Sequence, residues 1–286
     1  MQKVRVSVLL PSLGLPKTLK AAVKSTLLAM GPEDELLVLI SGSEDDLFLD
    51  RFKDQRLKVY VSLQPMKVSE ALNALLQKAK GEYVARMDAD DICLPWRFRS
   101  QTRAIASHSL DFIFSNSILF GTRIRPVWLM PQLPIALDNT QSGLFLAIGN
   151  PFVHPTMLAR KSALTELGGY RTLNAEDFDL WLRAWQKGFK FARTAGYGVL
   201  YRSHEAQVTQ SRDYLTNALS AIEIQELIQK QIATLTAQGL LPGEEFNRKK
   251  IEDALKETSF ALNLSLGSFG KKLAAFANRL LSRKSI

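Results

Sequence analysis

The order of short apolar strands and amphipathic helices over the first ninety residues constrains this chain more than any other feature. "VRVSVLLP" reads as a strand, and "PKTLKAAVKSTLLAM" puts Leu19, Val23, Leu27 and Met30 at helical spacing behind Pro16. "ELLVLIS" is an unbroken apolar run, as a strand covered on both faces should be. "LKVYVS" is a further strand. "SEALNALLQKAKG" is a helix with Ser69 as candidate N-cap and Gly81 just past its end, and "EYVARM" closes the series as a strand. Strand, helix, strand, strand, helix, strand predicts an α/β fold with a mostly parallel central sheet.

Ligands of open parallel sheets bind outside the carboxyl ends of the strands. Those ends read Pro11-Ser12, Ser41-Gly42-Ser43, Ser62 to Pro65, and Asp88 to Asp91. The last of these, "DADD", crowds three carboxylates into four positions of a chain whose net charge is +9. In extended backbone Asp88 and Asp90 point to one side. Two aligned carboxylates at a sheet mouth suit Mg²⁺ or Mn²⁺, a hard cation held by one or two carboxylates plus substrate phosphates. The plainer alternative is an acidic loop in which Asp91 caps the helix that begins near Pro95.

Farther along, residues 121–143 hold three prolines and show no clean period, which predicts a loop-rich excursion. "FVHPTMLARKSALTELGGYR" reads as a strand and a short helix stopped at Gly168-Gly169, and "NAEDFDLWLRAWQKG" as a helix from about Phe178, stopped at Gly188. Its acidic start, Glu176, Asp177 and Asp179, either complements a helix dipole or supplies a general base. In "LYRSHE", Arg202 and His204 are candidates for diphosphate and metal contacts, beside a structural role for a lone histidine.

Taken together and in order, these segments resemble the family 2 glycosyltransferases of the GT-A fold, of the kind that build bacterial cell-surface polysaccharides. "VSVLLPS" is similar to the opening strand, and "ALNALLQKAKGEYVARMDADD" to the helix, strand and DXD element. "HPTMLARKSALTELGGYR" resembles the segment before the acceptor site, "AEDFDLWLR" the E-D-x-D-L-W motif, and "YRSH" its late basic element. The resemblance covers roughly residues 3–210. It implies that Asp88 and Asp90 are the DXD pair, with Asp90 the direct metal ligand and Asp88 facing the ribose or the metal shell. It makes Asp177 the catalytic base with Glu176 in support, His204 a further metal or diphosphate contact, and Arg202 a phosphate partner. Pro11, Ser41 and Ser43 fall at the donor side. Most of the family carries D-D-G-S-x-D after the second strand; here "ISGSEDD" puts Ile40 and Ser41 where the leading aspartates stand. Ser41 offers a hydroxyl to a base edge, not a charge.

The implied reaction is metal-dependent inverting transfer of a sugar from a nucleotide-diphosphate donor to a glycan or lipid-linked acceptor. A nucleotidyltransferase would want a Gly-rich, cationic phosphate loop after the first strand, and "PSLGLPK" has one glycine and one lysine. A non-catalytic relative acting as a binding protein is the other reading, which the acids kept at both motifs oppose.

Two units are expected: a glycosyltransferase domain over 1–212 and a helical extension over 213–286. The latter ends in Lys271, Lys272, Arg279, Arg283 and Lys284 with no acid after residue 269, over half of the charge excess. Leu273, Phe276, Leu280 and Leu281 share one stripe of that helix, which suits either an anionic membrane surface or packing on its own domain. Aromatic residues do not interleave with these basic ones, so nucleic acid is not an expected partner. One cysteine, no span-length apolar run and no leader-like start predict a cytoplasmic protein, at most at the inner face of the plasma membrane.

Overall fold

The computed structural model describes residues 5–43, 52–121, 130–131, 135–147, 149–203 and 221–240. The chain divides into two compact units, Met1–Gln231 and Ile232–Ile286. The expected boundary at residue 212, His204 and the basic tail lie outside the described residues.

The opening alternation appears as read. β1 (Val6–Leu13), α1 (Leu19–Ala29), β2 (Glu35–Ser41), β3 (Leu57–Ser62), α2 (Val68–Lys78) and β4 (Tyr83–Arg86) follow in order. Then come β5 (Ile92–Cys93), α3 (Arg97–Ser107), β6 (Phe112–Gly121), β7 (Met130–Pro131), α4 (Asn139–Leu146) and a 3₁₀ turn (His154–Thr156). The series ends with β8 (Leu158–Arg160), α5 (Lys161–Glu166), α6 (Glu176–Gln186), β9 (Phe191–Ser203) and α7 (Ile222–Ala237).

The nine-stranded sheet runs β3-β2-β1-β4-β8-β6-β9-β5, with β7 on β6. Every pairing among β1 to β4 is parallel, and β6 runs parallel to β9. Antiparallel β8 joins the two parallel blocks. β5 pairs with β9, and its Cys93 N–H donates to Ser25 Oγ of α1 at 3.1 Å, so the far edge of the sheet curls back toward the first helix. β1 and β2 are buried along nearly their whole length, the signature of strands covered on both faces.

Three local expectations need correcting. Helix α2 is capped at Lys67, not Ser69: the Glu70 side chain accepts from the Lys67 N–H at 3.0 Å, and Ser69 is buried within the first turn. Gly81 is not a helix cap. A Cβ there would come within 2.6 Å of the Ser7 N, so glycine is required for close approach to β1. Within the excursion expected over 121–143, α4 already begins at Asn139, where Asp138 accepts the Gln141 N–H at 2.8 Å and Gln141 answers the Asp138 N–H. That capping box nucleates a helix whose apolar pattern is too weak to announce it.

A second core fixes α6. Phe112, Phe114, Phe152, Trp181 and Phe191 form one aromatic stack, with Phe114 and Phe152 at 3.9 Å and Phe112 and Phe191 at 4.7 Å between ring centroids. Trp181 belongs to α6 and is fully buried. Burial of such rings contributes roughly 2–3 kcal/mol each, so the first turn of α6 is held against β6 and β9 rather than left to its own propensity.

Candidate active site

Register explains why the acidic cluster stands at a mouth. β4 stops at Arg86, opposite Leu9, while β1 continues to Leu13, itself in line with Ser41 of β2 and Ser62 of β3. The link from Met87 to Asp91 therefore crosses the carboxyl edge of the parallel block before β5 begins. Asp88, Asp90 and Asp91 each present an oxygen there, all within 4.8 Å of one another.

The three carboxylates have different surroundings. Asp88 pairs with Arg86, two residues back on the same side of the strand, and Arg86 is itself buried. Burial raises the Asp88 pKa and the Arg86 charge opposes the rise. Asp91 is fully buried; its Oδ1 accepts the Arg202 N–H at 2.7 Å, and its Oδ2 has no hydrogen-bond partner among the described residues. Burial, then the neighbouring Asp88 charge, hold the Asp91 pKa well above the usual carboxylate range. Asp91 does not cap α3: the N-cap is Trp96, whose side chain makes no capping hydrogen bond and donates instead to the Tyr197 carbonyl at 2.7 Å. Asp90 is half-buried, and its carbonyl accepts Arg202 Nε at 2.6 Å while the Arg202 guanidinium lies 4.4 Å from the Phe120 ring.

Three mutually repelling carboxylates, one with an orphaned buried oxygen, fit a hard divalent cation that would displace protons from them. Asp91 keeps a buried oxygen with no hydrogen-bond partner among the described residues, and Asp88 would share its charge between the cation and Arg86. Period-two alternation, which places Arg86 beside Asp88, was the signal in the sequence for that ion pair.

Fully buried Arg97 lies beneath this edge. Its guanidinium donates to the Arg86 carbonyl at 2.9 Å, the Met157 carbonyl at 3.0 Å and Gln101 Oε1 at 3.1 Å. It thus ties the end of β4 to the backbone after the 3₁₀ turn.

Helix α6 brings the second acidic group. Asp177 accepts the Phe178 N–H at 2.7 Å and Asn150 Nδ2 at 2.8 Å, bonds that oppose a pKa rise caused by burial. Glu176 is pushed up to about 7, first by burial and then by Asp177. Buried His154 places Nδ1 3.8 Å from Glu176 Oε1. Asp179 belongs elsewhere: it is fully buried, pairs with Arg171, and accepts Arg183 Nε at 2.8 Å, an anchor for α6. His154, Asn150 and Arg97 were not singled out from sequence; "HP" before a strand and an arginine at a helix start carry no local mark of function.

Toward the donor side, Ser41 is buried and donates to the Ser12 carbonyl at 3.3 Å, while Ile40 is wholly buried. Pro11 is buried inside β1, and Ser43 is half-buried just past β2. Leu13 is 70% exposed at the same edge. The structure brings Ser41, Ser43 and the Asp88–Asp91 link to one edge and leaves Pro11 within the sheet.

Residues 7–168, more than half of the chain, match the family described as Glycosyl transferase family 2. The chain belongs to that family and is a glycosyltransferase. It is 30% identical over 218 residues to the putative glycosyltransferase EpsE of Bacillus subtilis, spanning 70% of this chain and 73% of EpsE. It is 23% identical over 209 residues to WfaP of Escherichia coli, covering 72% of this chain and 80% of that one. WfaP is described as a UDP-Glc:alpha-D-GlcNAc-diphosphoundecaprenol beta-1,3-glucosyltransferase. Among solved structures, S. aureus TarS 1–349 in complex with UDP-GlcNAc superposes with a TM-score of 0.61 at 18% identity, over 88% of this chain and 71% of that one. That likeness shows the GT-A fold. Among the described residues no helix is long and apolar enough to cross a membrane.

Proposed function

We propose that this chain transfers a sugar from a nucleotide-diphosphate donor to a hydroxyl of a glycan or lipid-linked acceptor, with inversion and with Mg²⁺ or Mn²⁺ at the β4 carboxylates. One observation carries the proposal: three carboxylates within 4.8 Å, one with an unpartnered buried oxygen, at the carboxyl edge of the parallel block. Asp90 and Asp88 would hold the cation, with Asp91 beside them. When bound, the cation supplies Lewis-acid stabilisation to the departing diphosphate. Arg202, held at the Asp90 carbonyl, faces phosphate oxygens.

Asp177, oriented by Asn150 and the Phe178 N–H, takes the proton of the acceptor hydroxyl. The hydroxyl oxygen bonds to the anomeric carbon from the face opposite the diphosphate as the bond from that carbon to the diphosphate oxygen breaks. Glu176 supports the base and meets the acceptor. A uridine donor is favoured by the UDP-Glc in the WfaP name and the UDP-GlcNAc bound to TarS, and a lipid-linked acceptor by the diphosphoundecaprenol in the former. The basic side chains Lys271, Lys272, Arg279, Arg283 and Lys284 meet anionic lipid at the inner face of the plasma membrane in this reading.

The test is a thermal-shift screen of nucleoside diphosphates and their sugars with and without Mn²⁺, since a ligand stabilises the fold it binds. A specific, Mn²⁺-dependent shift that Asp90→Asn removes supports the assignment. Nucleotide binding that ignores both Mn²⁺ and that substitution overturns it.

A further inference from the structure

Behind Glu176 lies an arrangement that the reaction above does not use. His154 opens the 3₁₀ turn and is 7% exposed. Its Nε2 lies 3.1 Å from the Tyr170 hydroxyl, and its Nδ1 3.8 Å from Glu176 Oε1. The edge of Trp181 closes the third side, with ring centroids 5.6 Å apart at 84°. The imidazole is thus bounded by a hydroxyl, a carboxylate and an indole.

Tyr170 is equally fixed. It is 4% exposed, its N–H donates to Asn73 Oδ1 at 2.9 Å, and its carbonyl accepts Asn73 Nδ2 at 2.8 Å. The turn carrying His154 is pinned as well, because Gln101 Nε2 donates to the Thr156 carbonyl at 2.8 Å and Arg97 to that of Met157.

We propose that His154 and Tyr170 are positioning residues for Glu176: the buried tyrosine hydroxyl donates to His154 Nε2, which leaves the single imidazole proton on Nδ1, directed at the Glu176 carboxylate. The assignment deepens the transfer reaction above and rests on the acidic start of α6 being its acceptor side. Two considerations favour this tautomer, although Met157 Sδ, 3.9 Å from the tyrosine oxygen, is a second acceptor for the same O–H. Burial, and then the Arg86 charge, hold the His154 pKa well below its ordinary value, so the ring is neutral and carries one N–H. A carboxylate beside Nδ1 favours that N–H on the side facing it, and the tyrosine O–H satisfies the bare Nε2.

The groups facing Glu176 are Asp177 on its own helix, Arg86 and Asp88 from the β4 side, and His154 from the turn. Around His154 stand Arg86, Tyr170 and Glu176. Asp177, Asp88 and burial all favour protonated Glu176; Arg86 and the His154 N–H favour the carboxylate. With the imidazole in place, Glu176 titrates where a small change of surroundings alters its charge. Glu176 is thereby kept able to accept a hydrogen bond from the acceptor beside Asp177.

The test reads the carboxyl group itself and does not depend on turnover. Infrared difference titration of the metal-free full chain, with Glu176→Gln as the subtraction control, should show a carboxyl that titrates near neutrality and vanishes in that control. In His154→Phe its midpoint should rise by about half a pH unit, less than a full hydrogen bond to a charged group would give, because the N–H stands 3.8 Å away. Tyr170→Phe should raise it by less, and His154→Gln, which keeps an N–H donor, should hold it near the wild-type position. Tyr170→Phe and His154→Gln keep the question open to test should His154→Phe not fold. A midpoint unmoved in all three variants, or one that survives in Glu176→Gln, overturns the assignment. Sugar transfer assayed on the same samples separates the two readings: normal titration shifts in a chain that moves no sugar from any donor would overturn the transfer reaction and not the His154–Glu176 contact.

Discussion

Two acidic clusters of the same size meet opposite fates in this molecule. Each has three carboxylates within four positions, and each buries one of them completely: Asp91 after β4 and Asp179 in α6. Asp179 has two guanidinium partners, Arg171 and Arg183. Asp91 has one backbone N–H and an oxygen with no hydrogen-bond partner among the described residues. Burial alone therefore does not separate structure from chemistry. A buried acid whose charge is matched holds a helix in place, and one left half-matched keeps an oxygen that a ligand can use.

The largest test of that contrast is in the reaction. Asp90→Asn should lower transfer by about 10³-fold, the scale of several kcal/mol of Lewis-acid stabilisation, and abolish the Mn²⁺-dependent shift of a nucleotide complex. Asp177→Asn should lower kcat by about 10²–10⁴-fold, as loss of a general base does, while donor binding survives. If the two variants lose donor binding alike, the clusters do not divide the work as described.

Next comes stability. Asp179→Ala removes the carboxylate shared by exposed Arg171 and half-buried Arg183, which keeps the Leu167 and Gly169 carbonyls, and should cost about 2 kcal/mol, read as a fall in Tm of roughly 4–8 °C. Asp91→Asn, equally buried, should move the metal-free Tm by less than about 2 °C and yet remove the shift that Mn²⁺ and nucleotide induce. Equal losses of Tm would end the distinction between rivet and ligand.

The smallest effect is a slope. Glu176 titrates at about 7 in the fold, above the ordinary glutamate value of 4.5. An acid raised on folding binds more protons in the native state, so stability falls as pH rises between those two values. Asp88, Asp91 and Asp177, also raised, act in the same direction. Glu176→Gln should therefore flatten part of the decline in Tm between about pH 5 and 8.

Legibility in the sequence followed the range of the interaction. The strands and helices through β4 were readable because each carries its own period, and the DXD acids because they interrupt a buried strand. Glu176 and Asp177 stood out as a charged start to an apolar helix. What sequence missed depends on contacts far along the chain: Arg97 reaches Met157, Asn73 reaches Tyr170, and Asp91 meets Arg202. No local pattern encodes those pairs. Ser69 and Gly81 were misread for a similar reason, since Glu70 and Ser7 settle what each position does.

One guanidinium bears on how such an enzyme could change its preferences. Arg97 grips the carbonyl ahead of the donor-side acids with the same nitrogen that grips the carbonyl behind His154. It acts as a spacer gauge, setting how far the end of β4 stands from the turn that carries His154. If the donor meets the carboxyl edge as proposed, exchange of exposed Leu13 would alter what that edge admits without altering the gap.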